Sequence, residues 1–157
     1  MDTEHESLRE FRRALRRLES EIGLNFADET DCCGVTVAQC HLILELENAG
    51  DVSLGELSGR LLTDKSALSR TVDALVRDGL ANREENPENR RKVTISLTPA
   101  GAGRADEINR RCDESYERVL AFIPEGKRAG VREGILLLAG AMRRARDEGV
   151  ASCCAKR

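Results

Sequence analysis

A chain of 157 residues with 40% hydrophobic content is one domain's worth of sequence, long enough to bury a real core. No Trp, one Tyr and three Phe favour a mainly α protein, and no apolar run approaches the roughly 20 residues of a membrane span, which excludes a membrane partner. The charged N-terminus is unlike a secretion signal, so a cytoplasmic location is expected, where thiols stay reduced; six cysteines then point to metal or redox chemistry rather than a disulfide framework.

Residues 3–26 carry Leu8, Phe11, Leu15, Leu18 and Ile22 at spacings of three and four, the stripe of an amphipathic helix. The opposite face holds Arg9, Arg12, Arg13, Arg16 and Arg17, read as a solvated face with acidic neighbours such as Glu10 and Glu21. After a polar connector over residues 28–35, Thr36 and Gln39 form a capping box for a helix carrying Val37, Cys40, Leu44 and Leu46, ending near Asn48–Gly50. Ser53 and Glu56 form a second capping box, opening a short helix with Leu54, Leu57 and Leu61 inward. Thr63 or Asp64 caps the next helix, which runs to about Asp78 and stops at Gly79, with Leu68, Val72, Leu75 and Val76 as its buried side.

Lys65, Ser66, Ser69, Arg70, Asp73 and Arg77 fall on the other side of that helix. Hydroxyls and the helix N-terminus suit phosphates, and Arg can bond a base edge through two N–H groups, so this is a candidate recognition helix for the major groove. Leu80–Glu84 and Val93–Leu97 are short strand candidates around a polar turn, residues 85–91, with Arg90 and Arg91 at its tip for phosphate or minor-groove contact. The net charge of −3 does not oppose this, because the charge is segregated. Residues 35–59 hold four acids and no Lys or Arg, while Lys65, Arg70, Arg77, Arg83, Arg90, Arg91 and Lys92 crowd the stretch that would face DNA. Thr98-Pro99 starts a long helix to about Phe122, with Ala105, Ile108, Cys112, Val119 and Phe122 near one stripe. Pro124 opens a last helix, apolar at Val131, Ile135, Leu138 and Met142.

Leu75, Asp78-Gly79-Leu80 and Arg83 leading into the hairpin, Asn89-Arg90-Arg91 at its tip, and Leu97-Thr98-Pro99-Ala100-Gly101 after it resemble the MarR family of bacterial transcription regulators. The similarity takes in almost the whole chain. It implies a winged helix-turn-helix, mainly α with a small β-wing, in a single domain covering 1–157. Residues 36–98 would be the DNA-binding lobe, 3–26 and 99–147 the dimerisation helices, and 148–157 a cysteine-containing tail. It further implies a homodimer on a pseudo-palindromic double-stranded operator, repression relieved by a ligand, and DNA contacts from Lys65, Ser66, Ser69, Arg70, Arg90 and Arg91. The family usually has Asp where this chain has Asn89, so an ion pair from that position is lost or replaced.

The cysteines are where this chain is individual. Cys112 lies on an apolar stripe and reads as a small core residue. Cys40, at the fourth position of the helix capped by Thr36, faces the chain just upstream, where Cys32 and Cys33 lie; thiolates are favoured near a helix N-terminus. Adjacent cysteines pair poorly with each other but suit a soft ion. Cys32, Cys33 and Cys40, with Cys153 and Cys154 from the tail, are therefore candidate ligands for trivalent arsenic first, then mercury(II), then zinc(II) with His41 as a weaker candidate. No cofactor is obligatory. An oxidant sensor using the same thiols is the alternative. A metal carrier without sequence-specific DNA binding is the rival of another class. No Cys–His–acid arrangement or Gly-rich phosphate loop suggests an enzyme.

Overall fold

The computed structural model describes residues 2–29, 34–86 and 89–150, with side chains over 5–24, 34–84 and 93–150. Six helices and a small sheet follow one another as α1 (Asp2–Glu29), α2 (Val37–Ala49), β1 (Val52–Ser53), α3 (Leu54–Leu61), α4 (Lys65–Arg77), β2 (Ala81–Asn86), β3 (Asn89–Leu97), α5 (Pro99–Ala121) and α6 (Glu125–Asp147). The chain divides into two compact units, Met1–Arg111 and Cys112–Arg157, with the division inside α5. No described helix is long and apolar enough to cross a membrane.

Both capping boxes form. The Gln39 N–H donates to Thr36 Oγ1 at 3.2 Å and the Thr36 N–H to Gln39 Oε1 at 2.9 Å; Ser53 and Glu56 reciprocate in the same way at 3.2 and 2.9 Å. Each box satisfies two amide donors that a helix start otherwise leaves to water. α4 ends in a Schellman turn. Gly79 sits at φ 72°, its N–H donates to the Val76 carbonyl at 3.1 Å, and the Leu80 N–H reaches the Leu75 carbonyl at 2.8 Å.

The core of the first unit is assembled from Leu42, Ile43 and Leu46 of α2, Leu57 of α3, Leu68, Val72 and Leu75 of α4, and Ile95 of β3, all at most 2% exposed. Two expectations change here. On α2 the residues most deeply buried include Leu42 and Ile43, outside the expected stripe, while Val37, Cys40 and Leu44 are half-buried. α2 packs against α3, α4 and β3, so it is apolar around more of its circumference than a surface helix, and a single stripe misjudges it. On α4, Val76 is exposed, because Leu68, Val72 and Leu75 already fill the inward face.

The sheet has the order β1-β3-β2 and is antiparallel throughout. β1 was not expected: its two residues carry no alternation, and pairing of Val52 with Ile95 and Ser53 with Thr94 makes it a strand. β2 and β3 extend further than expected into the polar segment. Glu85 pairs with Val93 and Asn86 with Asn89, with an irregularity between Glu85 and Asn86. Backbone ladder bonds do not need apolar side chains, so polar residues at a hairpin end escape a hydrophobicity reading.

Candidate nucleic-acid interface

The helix-turn-helix consists of α3, a three-residue turn and α4. The turn is tightly tied: Ser58 Oγ donates to the Thr63 carbonyl at 2.7 Å, and the Thr63 N–H returns to the Ser58 carbonyl at 3.2 Å. Leu62, at φ 53° and ψ 34°, closes α3 in the left-handed region with its side chain 65% exposed. That conformation disfavours a side chain carrying Cβ, and Leu62 adopts it in the turn between α3 and α4. Arg60 of α3 bonds Glu45 of α2 at 3.1 Å, fixing the back of the motif.

Asp64 caps α4. Its Oδ1 accepts from the Ser66 N–H at 2.9 Å, the Ala67 N–H at 3.1 Å and the Ser66 hydroxyl. Of the two caps expected from the sequence, Thr63 or Asp64, the structure has Asp64. Two amides at the start of α4 and the Ser66 O–H are engaged by a carboxylate, whose charge also opposes an incoming anion. Ser66 can offer its oxygen as an acceptor, but to donate it must leave Asp64.

The Ser66 hydroxyl holds the Asp64 carboxyl below its ordinary 3.8, followed by the amides of Ala67 and Ser66; slight desolvation works the other way, and the Arg70 charge adds least. A carboxyl depressed in the fold stabilises it above the unfolded value, and loses that contribution as pH falls through the folded value. Asp64→Asn, which still caps but does not ionise, is therefore expected to be less stable than the parent at neutral pH. The gap should close as the pH drops below about 4. Urea midpoints of both proteins across that range check this, and a gap independent of pH would refute the charge-based account.

Along the exposed side of α4, Lys65, Arg70, Asp73 and Arg77 are open to solvent, whereas Ser69 is half-buried. Asp73 does not contribute a free negative charge. Its Oδ1 lies 2.6 Å from a guanidinium nitrogen of Arg83 on β2, so an ion pair joins the recognition helix to the base of the wing. Sequence reasoning had placed both residues without pairing them. Their separation of ten positions matches no helix or strand period, and only the turn at Gly79 brings them together. Arg90 and Arg91 lie within β3 rather than in a loop; their side chains fall outside the described residues.

A second clasp holds β3 to the end of α4. Thr98 Oγ1 donates to the Gly79 carbonyl at 2.7 Å and accepts from the Gly101 N–H at 3.0 Å, while the Thr98 N–H donates to the Leu80 carbonyl at 3.1 Å. Thr98 is thus the cap of α5 and a tie across to the Schellman turn. The wing is fixed to α4 at both levels, by Asp73–Arg83 and by Thr98.

Of the candidate metal ligands, Cys40 is half-buried at the fourth position of α2, its N–H bonded to the Thr36 carbonyl at 2.8 Å. Cys32, Cys33, Cys153 and Cys154 lie outside the described residues. Among the described residues no group of three His, Cys, Asp or Glu side chains is arranged to hold a metal ion. Cys112 is half-buried and His41 exposed.

The MarR family model matches residues 35–93, which run from the start of α2 into β3. The transcriptional repressor MdtR of Bacillus subtilis is 27% identical over 112 residues, covering 71% of this chain and 72% of that protein. The multiple antibiotic resistance protein MarR of Salmonella typhimurium is 32% identical over 86 residues, 55% of this chain and 60% of that one. The crystal structure of Streptococcus pneumoniae FabT in complex with DNA shares the fold at a TM-score of 0.72 and 20% identity, over 85% of this chain and 98% of that one. Over residues 35–93, the helix-turn-helix and the start of β3, the chain thus matches the MarR family model, and it is similar in sequence and fold to transcriptional regulators of that family.

Proposed function

We propose that this protein is a dimeric transcriptional repressor that places α4 in the major groove of each half of a pseudo-palindromic operator. The observation that carries this reading is one helix with two faces. Leu68, Val72 and Leu75 are buried while Lys65 and Arg70 stand exposed, on an element pinned to an antiparallel wing by Asp73–Arg83. Repression is supported by the similarity to the transcriptional repressor MdtR, and duplex binding by the DNA in the FabT crystal structure. Lys65, Ser69, Arg70, Arg90 and Arg91 are the proposed DNA contacts, with Ser66 as an acceptor or after release from Asp64.

A dimer is supported by apolar side chains on the outer helices. On α1, Leu8, Phe11, Leu18 and Ile22 are each at least 43% exposed, and on α6 Ile135 and Met142 are each 54% exposed. Apolar stripes of this kind mark surfaces that another chain covers. Two-fold symmetry then sets two recognition helices about one DNA turn apart.

The signal released to the DNA is read, as a narrower proposal, from the cysteines. Cys32, Cys33 and Cys40, joined by Cys153 and Cys154, would bind a thiophilic ion, trivalent arsenic before mercury(II) or zinc(II). What supports it is chemical. Two adjacent pairs suit a soft ion better than they suit each other, and Cys40 lies on the first turns of α2, next in sequence to the segment that carries Cys32 and Cys33. The experiment is an anisotropy titration of the reduced protein on its own upstream DNA. Arsenite is expected to release the DNA from the parent protein and not from a Cys32→Ser/Cys33→Ser/Cys40→Ser variant. Release by peroxide without any metal selects oxidant sensing, and the absence of any sequence-specific shift removes the repressor reading itself.

A further inference from the structure

The middle turns of α1 carry a charge pattern that neither the helix-turn-helix nor the cysteines account for. Residues 9–17 hold five arginines and one glutamate, a net of +4 within a chain whose total is −3. Arg9, Arg12, Arg13, Arg16 and Arg17 are all exposed, and Arg9, Arg12, Arg13 and Arg16 line an open groove of about 400 Å³. Helical spacing makes like-charged neighbours of Arg9 with Arg12 and Arg13, of Arg16 with Arg12 and Arg13, and of Arg13 with Arg17. Each such pair opposes the helix slightly. The arginines form the solvated face expected from the sequence, and among the described residues no ion pair between one of them and a carboxylate is formed.

A helix that concentrates guanidinium groups on one face is stabilised when an anion binds that face. We propose that the arginine face of α1 is a second DNA surface, which binds the phosphate backbone of duplex flanking the segment contacted by α4 and the wing. Seven residues separate Arg9 from Arg16, roughly 10 Å of helix axis. A duplex lying alongside presents about six phosphate charges over that length, so the two charge densities match. Guanidinium groups bind phosphate oxygens through paired N–H groups and need no base contact, which makes such a surface blind to sequence. This inference rests on the DNA-binding reading above.

The test compares two fragments of the protein's own upstream DNA, one just spanning the operator and one extended by about 10 base pairs, one turn, on each side. The parent protein is expected to bind the extended fragment more tightly, with a steeper salt dependence. The Arg9→Gln/Arg12→Gln/Arg13→Gln/Arg16→Gln variant should lose that gain. Its slope of log affinity against log salt should be shallower by about 0.9 for each phosphate contact removed, with unchanged discrimination between operator and random DNA. The four-lysine counterpart should retain the gain, and circular dichroism with sedimentation establishes that both variants keep their helices and assembly state. A parent protein that binds both fragments equally, or a glutamine variant that keeps the gain, overturns the inference while leaving the operator reading intact. A parent that shifts neither fragment removes the operator reading instead. Binding to phosphatidylglycerol vesicles that depends on these arginines, without any effect of DNA length, would assign the face to a membrane and also overturn it.

Discussion

Gly101→Ala is expected to destabilise the protein by about 3 kcal/mol, although alanine in place of a helical glycine ordinarily stabilises by about 1 kcal/mol. The reversal has a geometric cause. A Cβ at position 101 would stand 1.9 Å from the Leu80 carbonyl oxygen, 3.0 Å from its carbon and 3.1 Å from Leu97 Cδ2. The first two obstacles are backbone and cannot rotate away. That carbonyl also accepts the Thr98 N–H, so moving it breaks the clasp between β3 and the end of α4. For a chain of this size the melting temperature should fall by about 10 °C. Gly103 supplies the control: it lies in the same helix, is exposed, and has nothing within 4 Å of a built Cβ. Gly103→Ala is expected to gain up to about 1 kcal/mol. If both substitutions shift the urea midpoint in the same direction, the close approach at Gly101 is not what requires glycine there. DNA affinity of the Gly101 variant should drop even where it remains folded, because the wing loses its lower attachment to the recognition helix.

The same region shows what sequence can and cannot reveal. Thr36–Gln39 and Ser53–Glu56 were legible because a capping box is a local code, with both partners three residues apart and both bonds made within one turn. Thr98-Pro99 was legible as a helix start for the same reason, and Gly79 as a helix stop. The second role of Thr98, reaching nineteen positions back to Gly79, was not, since nothing local encodes it. Thr63 or Asp64 was read as the cap, but the consequence of a carboxylate there was missed. A carboxylate that satisfies the first amides of α4 also occupies the place offered to a phosphate. β1 was invisible because two residues have no period, and Val76 was misjudged because an apolar residue beside a filled inward face has nowhere to go. Arg90, Arg91 and four of the candidate cysteines fall where side chains are not described, so chemistry alone carries their assignment.

The sharpest test of the interface is Arg70→Ala, expected to weaken operator binding by about 1–3 kcal/mol, roughly five- to 150-fold. Arg70 is the sixth residue of α4, exposed between the buried positions Leu68 and Val72, so its side chain projects from the face opposite the core. The carboxylate three residues on, Asp73, is held by Arg83 at 2.6 Å and does not clamp it. Asp64 attracts it only weakly across the first turns. A guanidinium kept free on a helix tethered at both ends is suited to bond a base edge through two parallel N–H groups. An ammonium cannot reproduce that fork. Arg70→Lys should therefore restore most of the salt dependence but not the preference for operator over random DNA. Arg90→Ala should do the reverse, losing affinity on both DNAs alike and flattening the salt slope by about 0.9 if its contact is to phosphate. The measurement is a set of titrations on operator and random duplexes at several fixed salt concentrations. If Arg70→Lys recovers full discrimination, Arg70 acts as a point charge on the backbone. Sequence reading would then have to come from another part of α4 or from the shape of the DNA.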